Sequence, residues 1–143
     1  MRKSIVLLLS IFLFVAVSLG SAVEFKFSTA KLSEPTLCTG VDEQTKKPHD
    51  KTSIFGPDTK EIFCSVKLSN APQTKITGQW IYVKGELKEY TNHMIAETSL
   101  TADGTRYLSF SLEKPTNGFP KGEYVLKLFL DEEEKMSVSF KVI

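Results

Sequence analysis

The sequence is poor in the residues on which most enzymes and metal sites depend. It contains 2 His, 2 Cys and 1 Trp, and no Gly-x-Ser-x-Gly elbow or glycine-rich phosphate loop. A Ser-His-acid triad would have to use His49 or His93. The two Cys and two His lie far apart in the sequence and lack the close pairwise spacing that is typical of zinc sites. We therefore expect a protein without catalytic residues, cofactor or metal, and not an enzyme.

The sequence also lacks an excess of charge of one sign. Its 18 Lys and Arg are balanced by 17 Asp and Glu, whereas a protein that binds nucleic acid through phosphates needs a basic surface. The composition, 41% hydrophobic and 24% charged, is that of one globular domain. These values argue against nucleic acid as a partner.

One long apolar run is present, and it lies at the N-terminus. Arg2 and Lys3 precede the apolar stretch 5–17, and the small residues Gly20 and Ala22 follow it. This order is that of a secretory signal peptide, and the stretch is short for a bilayer span. We expect cleavage of residues 1–22, a secreted or periplasmic domain over 23–143, and no membrane span after cleavage; the alternative is an uncut anchor.

Two cysteines, Cys38 and Cys64, belong to the exported part. An even number of cysteines in an exported chain predicts one disulfide bond. The alternative is a pair of free buried thiols, since cysteine packs well in apolar cores.

The exported part shows the alternation of apolar and polar residues that predicts β-strands. The strands are separated by a polar loop, Gly40–Lys60, and by a turn at Asp103-Gly104. The segment 86–97 fits either a short helix or an irregular strand. The predicted strands are 23–27, 61–68, 75–84, 106–112, 123–130 and 135–143, with one more ending near Leu100. The pattern predicts an all-β, antiparallel sandwich of two sheets and about seven to eight strands.

The order of Cys64, Trp80 and Gly122-Glu123-Tyr124 resembles the immunoglobulin-like and fibronectin type III-like β-sandwich modules of exported bacterial proteins. The resemblance implies that Trp80 packs in the core and that the Tyr124 hydroxyl caps a corner. Leu126 stands where antibody domains have their second Cys, so Cys38 remains as the partner of Cys64. The expected core comprises Trp80, Tyr124, Leu126, Phe110 and Phe140.

Such modules bind through loops or sheet edges, and the sequence offers two candidate loops and, as a candidate edge, the closing strand 135–143. The long loop carries Asp42, Glu43, His49 and Asp50, and Phe119 lies in a second loop. We expect a non-catalytic binding or assembly module that contacts another protein at the cell envelope. The alternative is a carbohydrate-binding module whose aromatic rings stack on envelope or extracellular glycans, with candidates Tyr82, Tyr90, Tyr107 and Phe119; a small hydrolase is the third option.

The first prediction concerns the N-terminus of the exported protein. Because Gly20 and Ala22 offer the small side chains that signal peptidase requires, the mature chain should begin at Val23. The intact mass of the exported protein measures this directly. A mass that still includes residues 1–22 would show an anchored protein instead.

Overall fold

The computed structural model describes residues 28–143, so the predicted signal peptide 1–22 and the predicted strand at 23–27 lie outside the described residues. The described part is all-β and has one short 3-10 turn, Lys88–Tyr90. Within it, no helix is long and apolar enough to cross a membrane. The seven strands are β1 Lys31–Val41, β2 Pro48–Lys51, β3 Ile54–Phe55, β4 Glu61–Gly85, β5 His93–Glu113, β6 Gly122–Leu130 and β7 Glu133–Val142.

Strands β4 and β5 are much longer than the sequence predicts, with 25 and 21 residues. They pair antiparallel along nearly their whole length, from Glu61 opposite Glu113 to Tyr82 opposite His93. The Asp103-Gly104 pair is not a hairpin turn between two strands. It lies inside β5, where Gly104 has φ +76° and Ala71 opposite it marks a register shift. Bulges of this kind bend a strand without ending its pairing.

The all-β class and the number of about seven strands are confirmed, whereas the described residues show no second sheet. All seven strands belong to one hydrogen-bonded sheet in the order β2-β1-β4-β6-β7-β3, with β5 on the other edge of β4. Strand β3 runs parallel to β7, so the sheet is mixed. The physical reason is that the β4–β5 ladder continues through its bend and joins the two halves. The result is a strongly curled sheet.

The curl brings the inner faces of the two halves of β4 against each other. Phe110, opposite Cys64 in the first half, packs on Gly78 in the second half, where an added Cβ would lie 2.7 Å from its ring. The Trp80 ring is fully buried and meets Phe140 edge to face at a centroid distance of 5.8 Å. The core residues expected from the sequence, Trp80, Tyr124, Leu126, Phe110 and Phe140, are all buried.

Two segments for which the sequence predicts no definite strand also have regular structure. The polar stretch 40–60 contains β2, which pairs with β1, and β3, which pairs with β7. Neither strand shows clear alternation, so their pairing depends on neighbours that are distant in sequence. The stretch 86–97 holds the 3-10 turn followed by the start of β5.

The contact between Phe110 and Gly78 gives the second prediction. Gly78→Ala places a methyl group against the Phe110 ring, and overpacking of this kind should lower the free energy of unfolding by roughly 1–3 kcal/mol. Urea denaturation measures the loss. Gly56→Ala is the control, because an added Cβ there meets nothing within 4 Å. Equal stability of the two variants would contradict the tight closure of the sheet.

Candidate functional site

The predicted disulfide bond is wrong, since both cysteines are free thiols in the structure. Cys64 lies opposite Leu37, and Cys38 lies opposite Phe63. Cys38 is thus one residue beyond the position opposite Cys64. Because successive side chains of a strand alternate between the faces of the sheet, the two thiols lie on opposite faces. Cys64 therefore faces the core, and Cys38 faces the β1–β2 hairpin on the outer side.

Both thiols are buried and protected from reaction. Burial raises the pKa of Cys64 to about 12, and burial also raises the pKa of Cys38. The thiolate is the reactive form of cysteine, so both groups are unreactive at neutral pH in the folded protein.

The loop residues predicted for binding are exposed but form an ordinary hairpin turn. The Oδ1 atom of Asp42 accepts hydrogen bonds from the backbone N–H groups of Gln44 and Thr45, at 2.9 and 2.8 Å. These bonds lower the pKa of Asp42. His49 contacts the neighbouring Asp50 at 3.2 Å, and Glu43 is exposed at the tip. In the described part of the chain, no group of three or more His, Cys, Asp or Glu is arranged to hold a metal ion.

Phe119 does not join these loop residues. It is only 2% exposed and belongs to the core, and its backbone N–H donates to the Pro57 carbonyl at 2.9 Å. The hairpin instead lies on the outer face, where the Lys46 carbonyl accepts a bond from the Ser65 hydroxyl at 2.7 Å. The structure thus separates the two parts of the predicted binding surface.

Phe119 instead helps to form an apolar cleft at one end of the molecule, which we call the end cleft. Its volume is about 320 Å³. Residues from both ends of β5 line it, because the bend brings Ile95 and Leu112 to the same place. The full lining is Tyr82, Leu87, Tyr90, Ile95, Leu112, Glu113, Pro115, Phe119, Pro120 and Tyr124.

The floor of the end cleft is a rigid pair of tyrosines. The rings of Tyr82 and Tyr124 meet edge to face at 5.1 Å. The Tyr82 hydroxyl donates to the Lys121 carbonyl and accepts from the Leu87 N–H, both at 3.0 Å. This close approach requires Gly85, where a Cβ would lie 2.5 Å from the hydroxyl oxygen.

The Tyr124 hydroxyl donates to the Pro120 carbonyl, which is the corner that the family resemblance implies. Burial, followed by the nearby Tyr82 and Glu86, raises the pKa of Tyr124. Both hydroxyls of the floor are therefore already hydrogen-bonded within the protein. The floor presents aromatic rings to a ligand rather than free hydrogen-bonding groups.

A bulge in β5 directs Ile95 to the cleft. Ala96 pairs with Trp80 and Met94 pairs with Ile81, so Ile95 is the extra residue between them. The side chains around this point remain open to solvent: Met94 is 51% exposed, Tyr90 47% and Ile95 44%. Sequence reasoning left this segment unassigned, because only the fold shows that 87–95 lies beside 112–124.

No family model matches this chain, and no curated protein matches it. Solved structures match it in part. A β-glucosidase from Listeria innocua in complex with isofagomine aligns at TM-score 0.50 with 10% identity, covering 81% of this chain and 16% of that one. A β-glucosidase involved in saponin metabolism from intestinal bacteria aligns at 0.49 with 13% identity, covering 83% and 17%.

An alkylpurine DNA glycosylase from Pseudomonas fluorescens bound to DNA with an abasic site analogue aligns at TM-score 0.47 with 17% identity, covering 79% of this chain and 30% of that one. The chain thus spans less than a third of the length of each of these structures. At these identities the likeness shows the fold alone: a small all-β domain that matches one part of the β-glucosidases.

The third prediction concerns the two cysteines, which the pairing of β1 with β4 places on opposite faces of the sheet. Iodoacetamide without reductant should label neither cysteine of the folded protein, because both thiols are buried with raised pKa values. After unfolding in urea, still without reductant, the intact mass should show both cysteines labelled. If the unfolded chain is labelled only after reduction, the two cysteines are joined by a disulfide bond after all.

Proposed function

We propose that this protein is an exported, non-catalytic binding module that holds an apolar segment of another protein at the cell envelope in its end cleft. The observation that supports the proposal is a preformed cleft with half-exposed apolar side chains at its rim. Aromatic rings and exposed aliphatic groups in a pocket are the features that dominate protein interfaces. The N-terminal signal in the sequence supports export.

A second consideration favours a protein segment over a glycan. A sugar presents many hydroxyl groups, so its site needs polar groups that are free to orient it. In the end cleft the hydroxyls of Tyr82 and Tyr124 are bonded internally. The cleft lining supplies one carboxylate, that of Glu113. Apolar side chains of a protein make better use of such a lining.

The alternative function is a carbohydrate-binding module, and the aromatic side chains of the end cleft support it. Tyr90 is the candidate ring for stacking on a sugar, because its ring is exposed and meets His93 edge to face at 5.4 Å. A glycan array separates the two functions. Binding to an array glycan that is lost in Tyr90→Ala would establish the alternative.

The fourth prediction tests the cleft by photocrosslinking. A photoreactive phenylalanine analogue at position 90, introduced in the native cells, should form an adduct with a protein partner on irradiation. Ile95→Ala in the same protein should reduce the adduct about tenfold, because it removes the large apolar side chain that the bulge of β5 directs to the cleft; a tenfold loss corresponds to about 1.4 kcal/mol.

Ile54→Ala is the matched control, because Ile54 is exposed to a similar degree, 53%, but lies on β3 outside the cleft. It should leave the adduct unchanged. No adduct at all, or equal adducts in the two variants, would contradict the proposed function. Equal thermal midpoints of the two variants exclude a folding defect as the cause of any difference.

A further inference from the structure

One edge of strand β5 has no neighbouring strand among residues 28–143, where β5 pairs with β4 alone. Along that edge, no strand of the described residues pairs with the backbone N–H and C=O groups of β5. Such an edge is a template for pairing with another chain, and proteins usually protect it with lysine, proline or a covering segment.

The other edges of the described sheet carry this protection. Strand β7 has Lys135 and Lys141, and β3 covers its end. Strand β2 has 4 residues, which include Pro48 and Lys51. The first half of β5, from His93 to Ala102, contains no Lys, Arg or Pro. It is the least protected edge in the described part of the chain, and it adjoins the end cleft at Ile95.

A single carboxylate, that of Glu97, lies along this half of β5. Its Oε2 atom accepts a hydrogen bond from the neutral amide of Gln79 at 2.7 Å. Among residues 28–143, the ion pairs within 4.0 Å do not include Glu97. An added strand that carries Lys or Arg opposite Glu97 would supply the missing opposite charge.

We propose that the edge from His93 to Ala102 accepts an extended segment of another protein as an added β-strand. This segment places a large apolar side chain in the end cleft beside Ile95 and a Lys or Arg beside Glu97. The proposal rests on the proposed function and names the kind of partner that the cleft binds. Backbone hydrogen bonds provide affinity in this mode, and side-chain pockets provide specificity.

A second copy of this chain is disfavoured on this edge in the register that is centred on Glu97. Glu97 is the middle residue of the stretch His93–Thr101. A symmetric antiparallel pair of two such stretches sets Glu97 directly opposite its own copy, and like charges in that position are destabilising. A different chain avoids this repulsion.

The test uses a phage-displayed library of random ten-residue peptides, selected on the full mature protein. The most enriched peptide is then synthesised in three forms: unmodified, and N-methylated at alternate residues in one register or in the other. Because successive residues of a strand point their N–H groups to opposite sides, one N-methylated form should lose about tenfold in affinity and the other should bind normally.

Besides Ile95→Ala, which should weaken peptide binding, two further protein variants accompany the peptides. Glu97→Lys should weaken binding about tenfold, because it places a cation against the cation of the segment. Glu43→Lys makes the same change of charge on the exposed tip of the hairpin and should leave affinity unchanged. The thermal midpoints of both variants should equal that of the unchanged protein.

The outcomes separate the two proposals. If Ile95→Ala weakens binding but both N-methylated forms bind equally, or Glu97→Lys has no effect, strand addition is overturned and the proposed function stands. If no peptide is enriched, or Ile95→Ala leaves the affinity unchanged, the proposed function fails together with the strand addition.

Discussion

The architecture depends on the pairing of β4 with β5, which continues through its bulges along nearly the whole length of both strands. At its bend, Asn70 adopts φ +51° and its backbone N–H donates to the Thr105 hydroxyl at 3.0 Å. Nearby, the Lys75 N–H donates to Asp131 Oδ1 at 3.1 Å, which holds the β6–β7 turn against β4. These bonds satisfy backbone groups that a bend would otherwise leave unpaired. The sheet curls, so its two halves enclose a shared core.

The core closes without a disulfide bond between Cys38 and Cys64. The inner face of β4 contributes buried apolar residues from both halves, and Phe110 bridges them through its contact with Gly78. Burial of large aromatic rings such as Trp80 and Phe140 is the dominant favourable contribution in a core of this kind. The indole N–H of Trp80 has no hydrogen-bond partner among the described residues. Its apolar burial outweighs that cost.

The same bend creates the end cleft. It turns β5 back on itself, so that the bulge at Ile95 and the end of the strand at Leu112 line one depression. The tyrosine pair beneath is immobilised by hydrogen bonds to the Pro120 and Lys121 carbonyls. A rigid floor lowers the conformational entropy that binding would otherwise cost. The exposed rim at Tyr90 and Ile95 adjoins the unpaired edge of β5.

The alternation of apolar and polar residues was sufficient to predict an all-β chain, because the period of two is a local property of strands. The corner at Tyr124 was implied by the resemblance to fibronectin type III-like modules, and its hydroxyl does bond to the Pro120 carbonyl. The ends of β4 and β5 were not predictable from local patterns. Asp103-Gly104 has the same sequence signature whether it makes a hairpin turn or a bend.

The placement of the two cysteines and of the residues that line the end cleft was decided by the tertiary structure alone. Two cysteines in an exported chain favour a disulfide bond, but the pairing of Leu37 with Cys64 sends the thiols to opposite faces of the sheet. Phe119 lies in a loop of the kind that binds ligands, yet it packs in the core. The end cleft joins segments up to 42 residues apart, from Tyr82 to Tyr124. Local patterns carry no information on such contacts, because strand register and sheet curvature arise from packing between distant segments.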